Sequence, residues 1–223
     1  MIEIYGVSLS QLPSRRIMLD MLDREYSEIW HERHRSVREE RTARAGIAGF
    51  LLLQFAGVHG KIEYEPNGRP YFLDSDLDFN ITHTAQHTFC AIERKTDIPE
   101  DGGKHGRCRV GLDAENLSRL SSMRICPIAD RWFTEGEENL FLSNPTDSNF
   151  LRIWTKKEAL VKWTGEGMAA LRRTDTDEAL ARYHVAFHQF WVDTTLITLC
   201  CDADAKAPKE IRMLSNSELL AWG

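Results

Sequence analysis

From Trp154 to Gly167 the chain reads Trp-Thr-Lys-Lys-Glu-Ala-Leu-Val-Lys-Trp-Thr-Gly-Glu-Gly, which puts acid, base and loop glycines into one short helix and turn. Residues four apart share a helix face, so Glu158 and Lys162 project together as a carboxylate and an ammonium. A metal ligand and a phosphate-facing cation can share such a face. The same letters also describe an ordinary surface helix: Thr155-x-x-Glu158 has the form of a capping box, and Glu158 before Lys162 is a favourable helix pair. Taken alone, this helix favours the structural reading.

A second acidic cluster changes the balance. In Val110-Gly111-Leu112-Asp113-Ala114-Glu115 the apolar residues 110, 112 and 114 alternate with 111, 113 and 115, the period of a half-buried strand. Asp113 and Glu115 therefore point to one side. Two carboxylates on one strand face repel unless solvent or a cation separates them, and hard oxygen ligands suit Mg²⁺, which bridges to substrate phosphates. Glu158 would complete a set of three.

Together the two clusters resemble the 4′-phosphopantetheinyl transferases of the surfactin-synthetase-activating type, with their Gly-x-Asp-x-Glu strand and Trp-x-x-Lys-Glu-Ala-x-x-Lys helix. Further matches follow in the family's order: Gly68-Arg69-Pro70, Phe79-Asn80-Ile81-Thr82-His83-Thr84 and Trp132-Phe133-Thr134-Glu135-Gly136-Glu137. The resemblance runs from about residue 36 to residue 201. Ala114 departs from it, standing where a bulkier residue is common.

The resemblance implies an α/β (α+β) fold of two similar halves with the active site in the cleft between them. Residues 1–106 would form the coenzyme A-binding half, and 107–223 the half with the metal-binding strand and signature helix. The implied activity is transfer of the 4′-phosphopantetheine group of coenzyme A to a serine of an acyl or peptidyl carrier protein, with Mg²⁺ and release of 3′,5′-ADP. The implied metal ligands are Asp113, Glu115 and Glu158; Glu158, Lys162 and Glu137 are the implied catalytic groups, with Glu137 favoured over Glu135 and Glu138. Coenzyme A falls to Arg41, Arg44, Arg69, Thr82, His83, Asp113 and Lys162. Among these, Arg44 is the best-aligned holder of the 3′-phosphate with Arg41 behind it, Thr82 and His83 face phosphates, and Arg69 is an adenine-side contact. The proton of the attacked serine goes to Glu158 or to a metal-bound water. Two other readings stay open: a non-catalytic module that binds coenzyme A or a carrier, and another Mg²⁺-dependent enzyme acting on pyrophosphates.

These groups must be positioned by recognisable elements. Ile2–Val7 begins as a strand and Ser14 to Gln54 reads as helix, dense in charge from 30 to 44. There Arg38, Arg41 and Arg44, with Arg33 and Arg35 nearby, lie three apart near one face. Asn67-Gly68 makes a turn, and Phe79–His83 and Thr88–Ile92 are neighbouring strands with His83 near their tip. The stretch Arg94 to Gly106 is the clearest loop and the boundary between halves. Ser121 to Leu142 reads as one helix, Phe150 to Trp163 as the signature helix, and Tyr183–Phe187, Gln189–Val192 and Leu196–Cys200 as closing strands around an Asp193-Thr194 turn.

Composition sets outer bounds. With 223 residues the chain makes one large domain or two small halves. A formal net charge of -6 gives no general attraction to nucleic acid or to acidic membranes, so an anionic partner must meet a local patch. Arg152, Lys156, Lys157, Arg172 and Arg173 are the docking charges for an acidic carrier. The apolar run Ala45 to Val58 is too short to cross a bilayer and is expected as a buried helix. Five cysteines without a Cys-x-x-Cys spacing, in a chain with no signal peptide, point to reduced thiols in a cytoplasm, and a monomer is the expected state. The pairs His31/His34 and His184/His188 lack the other ligands of zinc sites.

Overall fold

The computed structural model describes residues 1–10, 12–34, 37–73, 75, 77–94, 109–120 and 125–221. The expected boundary loop from 95 to 106, Arg35, Cys108 and residues 121–124 of the expected second-half helix lie outside them. In chain order the elements are β1 (Ile2–Ser8), α1 (Arg15–Asp20), α2 (Arg24–His34), α3 (Glu40–Phe55), β2 (Ile62–Tyr64), β3 (Pro70–Phe72), β4 (Asp78–His83) and β5 (His87–Glu93). Then come β6 (Val110–Asn116), α4 (Leu117–Leu120), α5 (Ile125–Trp132), α6 (Glu135–Ser143), α7 (Asp147–Thr164), a 3₁₀ turn (Met168–Arg173), α8 (Thr176–Tyr183), β7 (Val185–Val192), β8 (Thr195–Asp202), β9 (Arg212–Leu214) and α9 (Asn216–Leu220). This is the mixed α/β architecture the sequence implies.

Alternation along the strands builds four layers. In β1 and β5, Tyr5, Val7, Cys90 and Ile92 face α3 and join Phe50, Leu53 and Phe79 in one core. Their neighbours Ile2, Ile4, Phe89 and Ala91 face the other way, onto Val110, Leu112, Ala114, Ile197 and Leu199. Ala114 is thus a core residue, small where two sheets meet. The first sheet runs β4-β5-β1-β9 and the other large one β6-β8-β7, with a separate β2-β3 pair. Helix α7 covers the outer face of the second large sheet, its Ala159 and Leu160 packing with Cys200. The last strand among the described residues, β9, lies parallel to β1 with Gly6 opposite Met213, so residues past 210 complete the β4-β5-β1 sheet.

Three expectations need correction. The run from Ser14 to Gln54 is three helices rather than one. The helix expected from 121 to 142 breaks at Thr134, whose hydroxyl accepts from Glu137 N while the Glu137 carboxylate accepts from Thr134 N. That capping box starts a new helix. Thr155, in contrast, caps nothing: α7 begins at the N-cap Thr146, and Thr155 lies buried mid-helix, donating to Leu151 O and sharing a hydrogen bond with Thr198.

The contact between α7 and β6 is closest at Gly111. A Cβ there would come within 2.0 Å of the Ala159 carbonyl oxygen and 2.6 Å of Trp163 N. Both are backbone atoms, so no side-chain rotation relieves the clash. Gly111→Ala should therefore cost about 2–3 kcal/mol, the upper part of the usual overpacking range. The check is a lower urea midpoint with an unchanged slope.

Candidate active site

On β6, residues 111, 113 and 115 face α7, because 110, 112 and 114 are committed to the inter-sheet core. Asp113 is buried, and its Oδ1 accepts from Lys162 Nζ at 2.7 Å. The same ammonium donates to Leu112 O at 3.0 Å and to Thr82 Oγ1 at 3.3 Å. Lys162 thus gathers the second-half strand, the signature helix and β4 around one cation.

Glu158 stands one turn before Lys162, where burial pushes its pKa up to about 8; Asp113 and then Glu115 add to the rise, and Lys162 partly opposes it. These causes bring Glu158, Asp113 and Glu115 into one electrostatic neighbourhood. Asp113 and Glu158 both draw on the Lys162 ammonium and repel each other. Asp113 Oδ2 is buried without an amide, hydroxyl or ammonium donor, and a hydrogen bond joins the Asp113 and Glu158 carboxyls. Among the described residues no three His, Cys, Asp or Glu side chains already converge in a metal-holding arrangement. The donor chemistry nevertheless fits a hard divalent cation, which would relieve the repulsion and engage Asp113 Oδ2.

Beside this cluster lies a cleft of about 520 Å³, lined by Arg41, Thr42, Ala45, His83, Thr84, Ala85, Gln86, Glu115, Asn116 and Ser118. Its walls are the first turns of α3, the β4–β5 turn and the end of β6. Helix α3 has no side-chain cap at Glu39, so its first amides lack a side-chain acceptor, while Glu39 and Glu40 put negative charge at the same end. His83 faces the open cleft, yet the surrounding protein and the charge of Lys162 lower its pKa. Both effects favour its neutral, hydrogen-bonding form.

Other sequence-picked residues stand elsewhere. Arg44, expected ahead of Arg41 as an anion ligand, instead donates from Nη2 to the carbonyls of Leu9 and Leu12, which leaves Arg41 as the arginine in the cleft wall. Arg69 is buried, its guanidinium forked onto Asp78 at 3.0 and 2.6 Å and also donating to Val110 O and Lys162 O. One N–H remains for any nucleotide. Glu137 is spent on Lys157 Nζ at 2.5 Å and on the amides of Thr134 and Thr176, none of which lines the cleft. A catalytic role for Glu137 has no support in that geometry. Its partner Lys157 is 1 % exposed and cannot be a docking charge. Arg152, Arg172 and Arg173 are exposed, and Lys156 lies over the Phe187 ring.

Sequence reasoning passed over Arg109 and the pair Asp78 and Asn80. Arg109 donates to Trp163 O and Thr164 O and pairs with Glu65 at 2.8 Å, closing the carboxyl end of α7, which stops at Gly165 with φ +73°. Cations are favoured at that end of a helix. Asp78 and Asn80 alternate with Phe79 and Ile81, and a polar face opposite an apolar one reads as solvent-facing until the structure shows both polar residues buried.

Residues 109–206 match the family described as the 4′-phosphopantetheinyl transferase superfamily. The 4′-phosphopantetheinyl transferase HetI of Nostoc sp. is 32% identical over 148 residues, which cover 62% of this chain and 56% of the relative. The 4′-phosphopantetheinyl transferase gsp of Aneurinibacillus migulanus is 29% identical over 129 residues, 56% of this chain and 40% of the relative. That of Bacillus subtilis is 27% identical over 141 residues, 61% and 54% of the respective chains. The chain spans about half the length of these relatives. Among the described residues no helix is long and apolar enough to cross a membrane.

Proposed function

From the match of residues 109–206 to the 4′-phosphopantetheinyl transferase superfamily, we infer that this chain moves the phosphopantetheine arm of coenzyme A onto a serine of a carrier protein. The observation that carries the reading is Lys162, held between Asp113, Leu112 O and Thr82 beside the cleft. In the reaction the serine oxygen attacks the phosphorus that bears pantetheine, the bond to the 3′,5′-ADP oxygen breaks, and the serine proton leaves to a base. Asp113, Glu115 and Glu158 are the residues that would hold Mg²⁺. When bound, the ion would neutralise charge on the pyrophosphate as the bond breaks.

The protein's own groups supply the rest. Arg41, His83, Thr82 and the open amides of α3 hold phosphate oxygens, and Lys162 offsets charge on the phosphoryl being moved. Glu158 is our candidate to take the serine proton: burial and its acidic neighbours raise its pKa in the metal-free protein, and a bound cation would hold it ionised and able to accept. Arg152, Arg172 and Arg173 offer the exposed positive charge that an acidic carrier would meet, although the whole chain is negative.

The decisive experiment incubates the protein with coenzyme A, Mg²⁺ and an apo carrier and weighs the carrier by mass spectrometry. Phosphopantetheine added to the serine supports the reading; no adduct across a panel of acyl and peptidyl carriers ends it. The two arginines separate in the same assay. Arg41→Ala should raise the KM for coenzyme A about tenfold, the worth of one charge-assisted hydrogen bond. Arg44→Ala should leave KM within about twofold and lower the melting temperature, because its partners are the carbonyls of Leu9 and Leu12.

A further inference from the structure

The two large sheets do not join through backbone pairing at β4 and β6. Strand β6 pairs on one side with β8, so on its other edge Val110 and Leu112 present N–H and C=O groups that need partners. Side chains provide all four. Val110 N donates to Asp78 Oδ2 at 2.7 Å and Leu112 N to Asn80 Oδ1 at 3.1 Å. Val110 O accepts from Arg69 Nη2 and Leu112 O from Lys162 Nζ, each at 3.0 Å.

The donors and acceptors have a strand's own period. Asp78, Asn80 and Thr82 share one face of β4, and each reaches one step further along: to Val110, to Leu112, and to the ammonium of Lys162. Phe79 and Ile81, on the opposite face, pack into the core against α3. One strand therefore locks to the α3 layer with its odd residues and to β6 with its even ones. It ends in His83, a wall of the cleft.

Resting on the proposed transfer reaction, we propose that Asp78 and Asn80 are positioning residues: a side-chain ladder that sets the register of β6, and with it Asp113 and Lys162, against the half that carries Arg41 and His83. Neither residue lines the cleft. Both act through others. Asp78 does so twice, because its carboxylate also orients Arg69, whose Nε caps Lys162 O at the end of α7. A displacement of about 1 Å between reacting groups is enough to cost on the order of a hundredfold in rate.

A residue that holds substrate and one that holds the catalytic strand affect different parameters. Asn80→Ala removes the acceptor for Leu112 N. Expected are a tenfold or greater fall in kcat for carrier modification, an affinity for coenzyme A alone within threefold by calorimetry, and at least tenfold faster hydrogen exchange at the Leu112 amide with β8 unchanged. Asp78→Asn keeps an acceptor for Val110 N and loses the charged fork to Arg69, so a smaller fall of about three- to tenfold in kcat is expected, again without loss of coenzyme A affinity. Wild-type kcat in folded Asn80→Ala, or a loss of coenzyme A affinity that matches the loss of rate, overturns the proposal. If Asn80→Ala does not fold, Asp78→Asn decides by the same two readouts. If the wild-type protein modifies no carrier, the functional reading falls, and exchange at Leu112 still judges the ladder: an unaltered rate in Asn80→Ala refutes it.

Discussion

Glu158→Gln should cut carrier modification by on the order of 10²–10⁴-fold, the range for losing a positioned proton acceptor, and should leave the fold intact. The amide keeps the size and shape of the carboxyl. It cannot take a proton from serine and is a poor ligand for a hard cation. The same variant has a signature in stability that needs no substrate. The folded-state pKa of Glu158 is raised from 4.5 to about 8, so its neutral form is the one the fold prefers. For an acid raised in this way, stability is fully present below pH 4.5 and is lost as pH rises through about 8. The metal-free wild-type protein should therefore melt lower at pH 9 than at pH 5, whereas Glu158→Gln, a fixed mimic of the neutral carboxyl, should show a flatter profile. Adding Mg²⁺ at pH 8 should raise the melting temperature of the wild type and not of the variant. Near-normal turnover in Glu158→Gln would leave Glu158 a structural residue.

Sequence spacing foretold which acidic and basic side chains of β6 and α7 share a face because both signals are local. A period of two put Asp113 and Glu115 on one face, and a separation of four put Glu158 over Lys162. The strand pair β4 and β5, with His83 at its tip, was legible for the same reason. What was not legible depends on distant partners. Arg41 and Arg44 are the same residue type one turn apart, and the second of them is taken up by the carbonyls of Leu9 and Leu12. Lys156 and Lys157 are adjacent and identical; one lies over the Phe187 ring, and the other is buried by segments 20 residues before it and 17 after it. The missed break at Thr134 is a different error. Thr134-x-x-Glu137 has the capping-box pattern and does start a helix, while the same pattern at Thr155-x-x-Glu158 lies inside a helix and caps nothing, so the pattern alone does not mark a helix start.

Glu137 and Lys157 then give the sharpest separation between a structural and a catalytic acid. Both are almost fully buried, with side chains 4 % and 0 % exposed, and the ammonium's second partner is Thr174 O. The pair ties α7 to the start of α6 and, through Thr174 and Thr176, to the segment leading into α8. Removing one member strands the other charge away from water, which costs about 3–5 kcal/mol. Lys157→Ala and Glu137→Ala should each lose about that much in urea unfolding, and the double variant should lose clearly less than the sum, because no charge is then left unpaired. Lys157→Met with Glu137→Leu should recover further stability by refilling the space with apolar atoms. At a temperature where each variant is folded, the rate of carrier modification should stay within about threefold of wild type, far from the loss expected when a positioned acid or base is removed. A fall as deep as that of Glu158→Gln in a folded Glu137 variant would restore Glu137 to the catalytic set.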